Sequence, residues 1–231
     1  MKTSSKAASL QQELVNSVSH GLGVLFGIIC IPLLIAVAIK NVGSGGIIAT
    51  CVYGFGFLMV FTFSTLYHGF QQTGIKQLLQ IFDHISIYFL IAGTYTPFIF
   101  IFVNNRFGIL ILIVLWSFTV MGIFFKIFFT GKFEILSIAF YILMGLLLLA
   151  GGKTFFASMP PAIITLIITG GALYCTGVIF YVWKKYKYHH GVWHLFVLAA
   201  AICHYVAVLK AVEFLIFTAI EKSSYNAMSL S

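Results

Sequence analysis

Polar side chains able to do chemistry are few in this 231-residue chain, and they stand beside long apolar runs. His190 and His194, in HHGVWHLF at 189–196, lie four apart at the start of the last run. On a helix that spacing stacks two imidazoles on one face, close enough to share one ion. His68, in FSTLYHGF at the end of the second run, can supply a third nitrogen. Three neutral imidazoles and one open position describe a catalytic type of zinc site, which polarises a carbonyl and lowers the pKa of a bound water to ~7. Asp83, in IFDHISIYFL, starts the third run. It could act as general base or hold that water by a hydrogen bond. Ser64 lies one turn before His68 on the same face and could bond the water, a substrate carbonyl or a ligand.

Each residue also has a plainer reading. A histidine pair at a helix start can sit among lipid headgroups, and so can His68. Ser64 alone suits helix packing through a bond to a backbone carbonyl. Asp83 alone suits the N-terminus of a helix, where the dipole favours negative charge. Glu134, the other carboxylate at the start of a middle run, has Lys132 two residues away as a ready partner. His84 and His189 read as interfacial. Glu13, Asn16 and His20 stand at the entry to the first run, and either an inner lid or second shell to the site or a solvated amphipathic approach helix explains them.

The elements that must position these residues can be read from composition. The chain is 61% hydrophobic and 8% charged, where soluble domains carry about 25% charged residues. It is an all-α integral membrane protein, expected in the cell (inner) membrane. Its 25 Phe and 11 Tyr suit a lipid-facing surface with interfacial rings. The net charge of +8 points to loops meeting anionic lipid rather than to nucleic acid. Cys30, Cys51, Cys175 and Cys203 lie in apolar stretches with no CxxC pair and read as reduced packing residues. The first apolar run is long enough to span and reads as a retained helix rather than a cleaved signal.

Seven runs near the ~20 residues that a bilayer requires cover 20–39, 46–67, 81–103, 107–129, 134–151, 161–183 and 192–213. They predict a seven-transmembrane helix bundle over 20–213, preceded by a cytoplasmic segment 1–19 and followed by a tail 214–231. Orientation is set by the basic residues. With the N-terminus cytoplasmic and the C-terminus outside, eight lysines fall on the inner side and five basic residues outside, and Lys184, Lys185 and Lys187 share one short inner loop. That topology brings His20, Ser64, His68, Asp83, His84, His190 and His194 to one membrane level. His204 lies roughly 15 Å deeper and reads as a packed interhelical histidine.

ELVNSVSHGLG (13–23), STLYH (64–68), IFDHISIYFLIAGTYTPF (81–98) and HHGVWHLFVL (189–198) resemble the hemolysin III branch of the progestin and adipoQ receptor family. The resemblance implies seven transmembrane helices with a cytoplasmic N-terminus. It implies zinc on the residues matching His68, His190 and His194, with Asp83 near the zinc-held water and Ser64 as the family serine. Related eukaryotic receptors resemble alkaline ceramidases and are associated with hydrolysis of a lipid amide. The bacterial branch is named for haemolysis and linked to membrane lipid homeostasis. Three functions are therefore expected. One is a zinc-dependent hydrolase of a lipid amide or ester, with membrane lipids as partners. A second is a non-enzymatic lipid sensor with structural zinc. A third is a lytic, pore-forming protein, ranked last because polar residues are scarce in the outer halves of the runs.

Overall fold

The computed structural model describes the backbone of residues 2–150, 152–185 and 187–228, and the side chains of 9–147, 152–153, 155–185 and 187–215. Lys2, Lys6 and Lys222 of the charge count, and the tail side chains from 216 on, fall outside the described side chains. The elements among the described residues are α1 (Lys2–Asn41), α2 (Ser44–Gly69), α3 (Thr73–Phe102), α4 (Arg106–Phe129), α5 (Glu134–Ala150), α6 (Gly152–Phe156), α7 (Pro161–Val182) and α8 (His189–Met228), all of them helices. Six are long and apolar enough to cross a membrane. The seventh long helix, α5, has 17 residues, the lower end of the spanning range of roughly 17–25.

Helix ends fall where the chain chemistry directs. Asn105 caps α4 by accepting from the Gly108 N–H at 3.1 Å. Pro160 and Pro161 open α7, where a missing N–H costs nothing. Gly131, at φ 75°, turns the chain between α4 and α5. Within the spans, Thr50, Thr65, Thr94, Thr96 and Thr119 each donate to the carbonyl four residues back, so no hydroxyl among them faces hydrocarbon unpaired. Pro32 and Pro97 lie inside α1 and α3, which continue through them.

Without a hydrophobic drive between helices in lipid, close approach at small residues does much of the packing. A side chain at Gly56 would meet the Phe89 carbonyl oxygen at 2.7 Å, and one at Gly93 would meet that of Val52 at 3.2 Å. These two positions form the seam between α2 and α3. Gly23 and Gly27 do the same for α1 against Phe61 and Leu58 of α2. α3 is the centre of the bundle, packed on α2, α4, α5 and α8, while α1 lies against α2 and α8. Successive long helices alternate in direction, so the end of α2 and the starts of α3 and α8 meet at one end of the bundle, beside the first half of α1.

Candidate metal centre

His68, in the last turn of α2, and His194, in the second turn of α8, aim their Nε2 atoms at each other across 3.1 Å. The nitrogens of His68, His190 and His194 lie within 4.8 Å of one another. Neighbouring nitrogens around a tetrahedral zinc stand about 3.3 Å apart, so the His68–His194 edge fits such an ion. Two neutral imidazoles in this pose must otherwise share one proton between facing lone pairs. The His190 ring stands perpendicular to that of His194, with centroids 4.5 Å apart, and stacks on Trp193 at 6.0 Å. His68 and His194 are 4% and 2% exposed, a depth at which an unneeded imidazole pair is costly.

A second layer orients the first. His68 Nδ1 meets Glu13 Oε2 at 2.6 Å, while Glu13 Oε1 meets Lys76 Nζ at 2.9 Å. A carboxylate on the far nitrogen of a ligand histidine fixes its tautomer and raises its basicity. Asn16 Nδ2 lies 3.5 Å from the same His68 nitrogen. His20 is 1% exposed, and its ring centroid is 3.8 Å from that of His194. Both His20 nitrogens, and Nδ1 of His194, have no hydrogen-bond partner among the described residues. α1 reaches this deep because Ser17 Oγ donates to the Thr65 carbonyl at 2.9 Å and because Gly191 lets Val15 press against the start of α8.

The other candidates border a cavity of about 410 Å³ walled mainly by α3, α5, α7 and α8, with His190 and His194 in its wall. Asp83 and Ser64 also line it, and Ser64 Oγ is buried with no hydrogen-bond partner within 3.5 Å among the described residues. Most of the remaining wall is apolar, including Ile87, Ile91, Phe98, Leu146 and Val197. The arrangement can bind a metal ion next to a carboxylate and a hydroxyl, at one end of a chamber suited to an aliphatic chain.

The family model described as haemolysin-III related matches residues 8–205. The chain belongs to that family. The Hemolysin-3 homolog of Bacillus subtilis (strain 168) is 38% identical over 87% of this chain and 94% of its own length. The Hemolysin-3 of Bacillus cereus is 36% identical over 87% and 91%. The human monocyte to macrophage differentiation factor is 25% identical over 71% of this chain and 70% of its own. No solved structure matches. Six apolar helices together with haemolysin-III membership make this a multi-pass protein of the cell membrane.

For this haemolysin-III chain, several plain readings of single residues need correction. Glu134 pairs with Lys184 at 3.8 Å, across an exposed contact, rather than with its neighbour Lys132. Glu13, Asn16 and His20 stand around the histidines instead of on a solvated approach helix. His84 lines the cavity instead of facing headgroups. His204, by contrast, is the packed interhelical histidine that the sequence suggests, donating to the Ile167 carbonyl at 3.2 Å from α8 to α7. Lys126, which reads from sequence only as an inner-side charge, is 2% exposed and lines the cavity. A lysine within a turn of a span's end gives no warning of this, since such residues ordinarily reach outward to headgroups.

Proposed function

We propose that this protein is a zinc-dependent hydrolase of a lipid amide or ester, acting in membrane lipid homeostasis from the inner leaflet. The observation that carries the reading is the cluster of His68, His190 and His194, the last two of which line one chamber with Asp83. The three histidines would hold the ion, and three imidazoles favour zinc among the common divalent metals. When bound, the ion supplies Lewis acidity toward a carbonyl and makes nearby water more acidic. Asp83 is the base that accepts the water proton and later returns it to the leaving amine or alcohol. Ser64 Oγ, buried and without a hydrogen-bond partner among the described residues, is a donor for the substrate carbonyl. Glu13 keeps the His68 ring in register. The apolar walls exclude bulk water and take the acyl chain. The inner-leaflet side rests on the loop lysines, and a reporter active only in the cytoplasm, fused to the N-terminus, checks it.

Fatty-acid release from a panel of ceramides, lipid amides and lipid esters, measured with purified protein, tests the reading. Asp83→Asn should keep its metal yet lose about 10²–10⁴-fold in rate, and chelation should abolish release. Wild-type turnover by Asp83→Asn would contradict the role of Asp83.

One observation favours a second reading, a non-enzymatic lipid sensor. His68 and His194 tie α2 directly to α8, which suits a structural clamp. In that case His68→Ala lowers thermal stability while Asp83→Asn leaves the cellular lipid phenotype intact.

A further inference from the structure

Lys126 sits in the last turn of α4. Lysines at such positions normally lay their stems along lipid and place the ammonium among headgroups. Lys126 does the opposite. Its neighbours Phe124 and Phe128 are 59% and 70% exposed, while Lys126 is 2% exposed and lines the cavity. The end of α4 therefore turns these phenylalanines to lipid and its lysine inward.

A buried ammonium is costly unless it has an anion. Among the described residues no carboxylate oxygen lies within 4.0 Å of Lys126 Nζ, since the ion pairs there are Glu13–His68, Glu13–Lys76 and Glu134–Lys184. Asp83 and Glu134 act on Lys126 only as nearby charges. Glu134 is drawn off by Lys184, and Asp83, which lines the same chamber, forms no ion pair with Lys126. The chamber, about 410 Å³ in all and mostly apolar, thus has in its wall a cation without an ion-pair partner among the described residues, and its volume is inside the roughly 300–1,000 Å³ of small-molecule sites.

From this we infer that Lys126 is an anion-recognition group, and that the cavity takes a lipid with one aliphatic chain and an anionic head, carboxylate or phosphate, paired with the Lys126 ammonium. The inference deepens the hydrolase reading by naming its substrate or product class, and it rests on that reading for any chemistry after binding. A fatty-acid carboxylate and a single-chain phospholipid would both satisfy the site. A lysine, as a compact point charge, accepts either.

The test is equilibrium binding of radiolabelled laurate to the full-length, metal-loaded protein in neutral detergent, with dodecyl phosphate and dodecanol as competitors. Wild type should prefer at least one anion over dodecanol by about tenfold or more, as one charge-assisted hydrogen bond provides. Lys126→Met should lose that preference while binding dodecanol as before, and Lys126→Arg should keep it. Stronger competition by dodecyl phosphate than by laurate assigns the head to a phosphate, and the reverse assigns it to a carboxylate. Absence of saturable anion binding, equal affinity for dodecanol, or an unchanged preference in Lys126→Met would overturn the inference. No turnover is read, so failure of the hydrolase reading leaves this result standing.

Discussion

His68 offers one ring nitrogen to His194 and the other to Glu13, so a single side chain joins the candidate metal ligands to the charge of α1. Removing the outer partner should loosen the metal without removing a ligand. Glu13→Gln should lower metal affinity by about 10–100-fold, read by competition with a coloured chelator, with little change in melting temperature. Unchanged affinity would make the Glu13 contact a packing detail. His68, His190, His194, Ser64 and Asp83 are all legible in the sequence because their spacing matches a helix turn or a run's end. For Glu13 and His20 the sequence leaves a place beside the site and a solvated helix equally open, because whether a polar helical segment packs or floats depends on contacts far away in sequence, here Ser17 with Thr65 and Val15 with Gly191. Lys126 is illegible for a different reason. α4 is apolar on every side, so no pattern tells which face turns inward.

Between α2 and α3 the distance is set by glycine, and those two helices carry His68, Ser64 and Asp83. Gly56→Ala places a methyl 2.7 Å from a backbone oxygen that cannot rotate away. The helices must part, which should cost about 1–3 kcal/mol and lower the melting temperature of the purified protein. Gly171→Ala, where nothing among the described residues lies within 4 Å, is the matched control and should melt as wild type does or higher. Equal effects of the two substitutions would argue against a tight α2–α3 seam. The seven runs mark the long helices well, but their ends less so. α1 begins at Lys2 and α8 continues to Met228, beyond the runs at 20–39 and 192–213. Hydropathy registers the part that suits hydrocarbon, whereas backbone hydrogen bonding carries a helix on into polar residues.

Across the bundle, alternating helices gather most of the ionisable side chains of the spans at one end. α8 returns to lie against α1, so residues from both ends of the family-matched region 8–205 meet around the histidines. One chamber then joins a polar end, able to hold an ion, to an apolar body. The agreement of histidines on one level was legible from topology alone. The chamber was not, since it depends on how α5 and α7 stand around α3 rather than on any local pattern.

All the chemistry proposed for this chamber depends on His68, His190 and His194 holding zinc. Elemental analysis of detergent-purified protein, wild type beside His68→Ala and His190→Ala, tests that directly. A single zinc per chain in wild type, lost in both variants, is the expected result. Wild type purified without metal, or variants that retain it, would contradict the assignment.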